Sequence, residues 1–178
     1  MSITPLMPRQ QVPALSVPTV GGDTWTLAEQ SPEHFTLVVF YRGLYCPICK
    51  QYLNDLQAHL DEFRDLGIGV FALSGDTEER AKETKEKWGL DKLSLGYGLS
   101  LDDARAWGLY ISSSNGASEP ERFSEPALYM IRPDGTLYFG AVQTMPFARP
   151  QFADIVKAAK FVIDKDYPAR GEVTDHKA

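Results

Sequence analysis

The chain has 178 residues, 43% of them hydrophobic and 24% charged, close to the averages for a globular protein. That length suits one domain, which buries roughly two thirds of its unfolded surface and so builds a core without metal or disulfide staples. The net charge of −6, with no basic block, excludes the sequence-independent phosphate attraction on which nucleic-acid binding depends. The start lacks a basic leader with an apolar stretch, and no run approaches the ~18 apolar residues of a membrane span, so the expectation is a cytoplasmic protein without membrane contact.

Residues 1–13, with prolines at 5, 8 and 13, read as an extended arm. The alternation from Ala14 to Leu27 around Gly21-Gly22-Asp23 predicts a β-hairpin. Thr36 to Tyr41 is β-branched and aromatic throughout, which predicts a central strand covered on both faces. From Pro47 the spacing turns helical, and Tyr52, Leu53, Leu56, Leu60 and Phe63 form one stripe that stops at Gly67. A second strand is expected over Ile68–Leu73. Thr77 to Trp88 predicts a solvated helix carrying the pairs Glu78–Lys82 and Glu83–Lys87. A short strand at 93–97 and a short helix from Leu101 to Trp107 follow. Tyr110 to Pro126 is rich in Ser, Glu and Pro and reads as a long loop. Ala127–Ile131 and Leu137–Val142 flank Pro133-Asp134-Gly135 and predict a second hairpin. Phe152, Ile155, Val156, Ala159, Val162 and Ile163 predict a closing amphipathic helix that begins near Pro150. This order calls for an α/β fold, a mixed central sheet with helices on both faces. The domain spans 14–168, between the arm and a flexible tail at 169–178.

Cys46 and Cys49 are the only cysteines, too close in sequence to staple a fold. The segment Tyr41-Arg42-Gly43-Leu44-Tyr45-Cys46-Pro47-Ile48-Cys49 carries a buried strand through a short turn into a helix. Pro47 fits the first helical position, where a missing N–H costs nothing. Cys46 then caps the helix, where its sulfur accepts from the N–H groups of Ile48 and Cys49 and the helix dipole favours the thiolate. Cys49 lies one turn on, close enough for a redox disulfide. A structural zinc site needs four ligands, and one cysteine pair with His34, His59 and His176 scattered along the chain does not supply them. No metal or organic cofactor is expected, the redox group being the Cys46–Cys49 disulfide itself. Arg42 stands where it could add positive charge, Tyr41 and Tyr45 flank the pair, and Met145 to Arg149 could wall the site. Ser112 to Gly116 lacks the strand-to-helix context of a nucleophile or phosphate cradle. His59 sits at the edge of the helix stripe and reads as partly buried.

The strand-turn-Cys46-Pro47-Ile48-Cys49-helix unit, with Pro126 opening a later strand, resembles the thioredoxin fold, in which a Cys-x-x-Cys faces a cis-proline. The frame over residues 12–165, with its N-terminal hairpin extension, Phe40-Tyr41 before the site and Pro133-Asp134-Gly135 in the later hairpin, resembles the peroxiredoxins of the alkyl hydroperoxide reductase C and thiol-specific antioxidant family. That family's motif reads Pro-x-x-x-Thr/Ser-x-x-Cys. A gap-free alignment on Phe40-Tyr41 puts Arg42 at the Pro, Cys46 at the Thr and Cys49 at the peroxidatic Cys. The family's arginine falls near Glu125-Pro126, which leaves Arg122 or Arg149 to serve from another position. The resemblance implies a thiol-dependent redox enzyme that reduces peroxides or disulfides and is restored by thioredoxin or another dithiol. The alternatives are a thioredoxin-type protein disulfide oxidoreductase without peroxidase activity and a non-catalytic redox-sensing adaptor. Helix position favours Cys46 as the nucleophile, whereas the alignment favours Cys49. Members of the family often pair as homodimers, and the sequence locates no interface.

Overall fold

The computed structural model describes residues 3–175; residues 1–2 and 176–178, the ends of the expected arm and tail and with them His176, lie outside the described residues. Strand β3 (Phe35–Phe40) is buried along its whole length. Its alternating side chains part between two cores: Phe35, Leu37 and Val39 join one, Val38 and Phe40 the other. β4 (Ile68–Leu73) pairs with it in parallel and carries the short β5 (Leu95–Gly96), also parallel. On the other side β8 (Ala127–Ile131) and β9 (Leu137–Val142) run antiparallel, which gives the order β5-β4-β3-β8-β9. At the turn into β9, Asp134 accepts from the Thr136 N–H and hydroxyl, and Gly135 takes the positive φ of 83° that this turn needs.

One face of the sheet is covered by α1 (Pro47–Ala58), α2 (Leu60–Asp65) and α5 (Phe152–Lys165), through Leu53, Leu56, Phe63, Phe152, Ile155 and Ala159. The opposite face is covered by α4 (Leu101–Ala106), the fully buried Trp107, and the N-terminal hairpin of β1 (Ser16–Pro18) and β2 (Thr24–Thr26). Trp25 of that hairpin stacks on Phe71 at 4.0 Å between ring centroids. Helix α3 (Glu78–Trp88) starts at Thr77, whose hydroxyl accepts from the Arg80 N–H, and ends at Gly89 in the left-handed conformation. The fold is thioredoxin-like, with the expected mixed sheet, helices on both faces and hairpin extension.

Three local expectations are corrected. The helix expected to run from Pro47 to Gly67 is broken at His59, because the imidazole Nδ1 lies 2.8 Å from the Asp55 carbonyl oxygen and the His59 N–H turns to Leu56 instead. Within the long loop 110–126, β6 (Ile111–Ser113) and β7 (Arg122–Ser124) pair antiparallel. Burial of Phe123 in that ribbon supplies the apolar anchor that the loop's composition concealed. The segment 169–175, expected to be loose, begins tied down. Ala169 is buried and its carbonyl accepts from Arg9 Nε and Nη2 at 3.0 and 2.8 Å. Arg9 itself belongs to the arm, which lies against the β8–β9 turn through Arg9 N–H to Leu137 and Val12 N–H to Gly135.

Phe152 is fully buried between Tyr52 and Phe63, at centroid distances of 4.3 and 6.4 Å. Phe152→Ala should cost about 3–5 kcal/mol, measured as a lower urea midpoint at unchanged slope.

Candidate active site

The approach to the cysteine pair is held by main-chain contacts. Tyr41, fully buried after β3, donates its N–H to the Leu73 carbonyl. The turn that follows is clamped by Asp76, whose Oδ2 accepts from the Leu44 N–H at 2.8 Å. Gly43 lies so close that a Cβ there would stand 2.7 Å from Asp76 Oδ1, and its φ of 148° is one that side chains disfavour. Burial raises the Asp76 carboxyl above the usual range, against the Leu44 hydrogen bond and the Arg80 charge. The Cys46 N–H closes the turn on the Gly43 carbonyl at 3.1 Å.

Cys46 is the N-cap of α1, with Pro47 exposed at the first helical position. Its Sγ accepts from the Cys49 N–H at 3.2 Å; the further bond expected from Ile48 is not formed. Both cysteines are reduced and buried, Cys46 at 2% and Cys49 at 0% exposure. Arg149, in the loop between β9 and α5, places Nη2 3.2 Å from Cys49 Sγ and 4.0 Å from Cys46 Sγ. A hydrogen bond from the Cys49 side chain is the largest of the effects that bring the Cys46 thiol from its ordinary 9 down to about 6. Burial opposes it, while the Cys49 N–H and the charges of Arg149 and Arg42 add to it. Burial, then the charged Cys46, push Cys49 well up despite Arg149. Arg149 thus approaches Cys49 more closely, yet the two thiols shift in opposite directions, because the Cys49 side chain and then its N–H favour the thiolate at Cys46 while burial dominates at Cys49.

Arg42 points to a different set of partners. Its Nη2 lies 3.1 Å from Glu125 Oε1 and 3.6 Å from Glu119 Oε1, and its guanidinium lies over the Phe123 ring at 4.6 Å. Ser112 donates to the same Glu125 oxygen at 2.7 Å. Tyr45 donates its hydroxyl to the Arg42 carbonyl at 3.1 Å and sets its ring edge-on to Phe123. Arg42 therefore sits beside Cys46 with its charge already matched by two carboxylates. Arg122 is exposed on β7. Pro126 is buried at the head of β8 and its carbonyl accepts from the Gln143 N–H, but the cis geometry considered from sequence is not found: no peptide among the described residues is cis.

The buried Glu125 and the clamp Asp76 escape sequence reasoning, since a Glu in a polar loop and an Asp after Ser-Gly both read as surface turn residues. The one available signal is the acid standing directly before an entirely apolar strand. Among the described residues no group of three His, Cys, Asp or Glu side chains is gathered to hold a metal. Glu125→Ala leaves Arg42 half-matched in a protein environment and should lower stability by about 3 kcal/mol, read by chemical unfolding; Glu125→Gln should cost less because it keeps the Ser112 bond.

The model of the AhpC/TSA family matches residues 8–139. No curated protein matches the chain significantly. Among solved structures, peroxidoxin BcpB from Mycobacterium tuberculosis superposes with a TM-score of 0.71 at 16% identity, covering 89% of this chain and 98% of that one. The mitochondrial 2-Cys peroxiredoxin from Plasmodium falciparum gives 0.73 at 17%, covering 95% and 100%. AhpC from Enterococcus faecalis gives 0.70 at 18%, covering 91% and 97%. With a family match over most of its length and a reduced cysteine pair at a helix N-terminus, the chain belongs to the AhpC/TSA family of thiol-dependent oxidoreductases.

Proposed function

We propose that the chain is a peroxidase in which Cys46 attacks the peroxide and Cys49 resolves the product. The observation that carries this reading is the Cys46 sulfur at the N-cap of α1, held as a thiolate near neutral pH with Cys49 three residues away. The Cys46 thiolate attacks one peroxide oxygen, the O–O bond breaks, and Cys46 becomes a sulfenic acid while the leaving alkoxide or hydroxide takes up a proton. Cys49 then attacks the sulfenic sulfur; a disulfide forms and water leaves. A dithiol reductant of thioredoxin type returns both sulfurs to the starting state. Arg149, whose Nη2 faces the sulfurs, also lines a groove of about 310 Å³ with Ile48, Tyr52, Pro146 and Phe147.

Burial of both sulfurs in the reduced pair favours a small peroxide over a protein disulfide as the oxidant, and the oxidised pair must expose a sulfur before a thioredoxin-type reductant can reach it. A cytoplasmic setting fits a pair that must be returned to the dithiol by cellular reductants. No helix among the described residues is long and apolar enough to cross a membrane. The homodimer expected from the resemblance is checked by sedimentation equilibrium.

Mixing the reduced protein rapidly with hydrogen peroxide, with tryptophan fluorescence as the signal, tests the reading. The rate should far exceed that of an ordinary thiolate and fall to background in Cys46→Ser. Cys49→Ser should react once and stop at a sulfenic acid that a 1,3-diketone traps. Because the reactive species is the deprotonated form, the rate should climb with pH through about 6 and level off above it. A rate no better than an ordinary thiolate would make a disulfide the substrate instead, and loss in Cys49→Ser alone would exchange the two roles.

A further inference from the structure

Cys46, Cys49 and Tyr52 follow one another at intervals of three, so each is a neighbour of the next along one side of α1. The sequence assigns Tyr52 to the apolar stripe, and its ring does pack on Phe152 at 4.3 Å. Its outer edge does something else. The hydroxyl donates to the Pro150 carbonyl at 2.6 Å, and the ring lies 4.8 Å from the guanidinium carbon of Arg149. Tyr52 therefore holds the carbonyl of the residue after Arg149 with its hydroxyl and the Arg149 side chain with its ring. The remaining anchor is Arg149 Nε, which donates to the Pro146 carbonyl at 2.7 Å within the same loop.

Arg149 needs such a grip. Among the described residues it has no carboxylate within ion-pair distance, in contrast to Arg42, and its Nη1 is buried with no hydrogen-bond partner. A guanidinium on a long, flexible stem with unsatisfied donors would turn to water if nothing held it. The face of an aromatic ring attracts it electrostatically without taking up its N–H groups, which leaves Nη2 free for the sulfurs. We infer that Tyr52 is a positioning residue whose hydroxyl and ring together hold the Arg149 guanidinium against Cys46 and Cys49. This rests on the reading of Arg149 as the cation that stabilises the Cys46 thiolate.

The test is to titrate the thiolate by its ultraviolet absorbance, and to measure the peroxide rate below neutral pH, in Tyr52→Phe, Tyr52→Leu and Arg149→Gln and in each tyrosine variant combined with Arg149→Gln. Arg42 and Cys49 beside the sulfur, Tyr41 and Tyr45 before it and Asp55 in the groove are unaltered in all of them. Tyr52→Leu should raise the titration midpoint by about one pH unit, and Tyr52→Phe, which keeps the ring, by about a third of that. The rate at pH 6 should fall in step. In the Arg149→Gln background neither tyrosine substitution should move the midpoint further, which a merely structural role would not explain. If Arg149→Gln shifts the midpoint and Tyr52→Leu does not, the positioning role is wrong and the reading of Arg149 stands. If Tyr52→Leu shifts it equally without Arg149, the tyrosine acts by another route and the inference fails. If Arg149→Gln itself shifts nothing, both fall together. Should Leu at 52 impair folding, Tyr52→Phe in the two backgrounds decides the matter by the same comparison.

Discussion

A sulfur buried to 2% exposure, that of Cys46, is the constraint around which the rest of the site is arranged. Moving a sulfur anion out of water raises its thiol pKa, so every unit of acidity at Cys46 must come from groups already fixed in place. The fold supplies three kinds. The backbone N–H of Cys49 and the first turn of α1 come with the N-cap position itself. The Cys49 side chain comes with the three-residue spacing. Arg149 comes from a loop a hundred residues away, brought in by the packing of α5 against α1 across Phe152 and Tyr52. The arginine lies nearer Cys49, whose thiol burial pushes up, than Cys46, whose thiol the Cys49 side chain and N–H draw down. The guanidinium, at 3.2 and 4.0 Å, acts on both sulfurs.

Two arginines stand near these sulfurs, and Arg149 is the one that reaches them. Arg42 is matched by Glu125 and Glu119, and its charge favours the Cys46 thiolate less than that of Arg149 does. The Arg42–Glu125 pair instead ties the end of β3 to the head of β8, and through Glu119 it closes the loop 114–121 over the ribbon of β6 and β7.

Much of this was legible in the chain because two signals act locally. Residue patterning marked the elements, apolar in β3, β4, β8, β9, α1 and α5 and as i,i+4 charge pairs in α3, and the Cys-Pro-x-Cys unit after a buried strand marked the capped helix. What escaped depended on contacts between residues far apart in sequence. Whether Arg149 turns inward is decided by Tyr52, Pro146 and the sulfurs, none of which is visible from its neighbours Ala148 and Pro150. The break at His59 hinges on one imidazole nitrogen taking the Asp55 carbonyl. The ribbon β6–β7 was hidden because its polar residues are the rule and the buried Phe123 the exception. The proline signal misled for the opposite reason: position before a strand permits a cis bond without requiring one, and the bond is trans.

The two halves of the site differ in what holds them. The cysteine side is built from main chain: Leu44 N–H on Asp76, Cys46 N–H on Gly43 and the helix that begins at Pro47. A disulfide between residues 46 and 49 forms within a single helical turn, so sulfur chemistry can proceed there without disturbing these bonds. The cation side is held by side chains, with a phenol on a carbonyl, a ring beneath a guanidinium and one N–H on Pro146. Main-chain bonds fix where the sulfur is and supply part of its acidity; side-chain contacts supply the rest. Substitutions in the loop 143–149 or at Tyr52 can therefore alter the acidity of Cys46 without moving its sulfur.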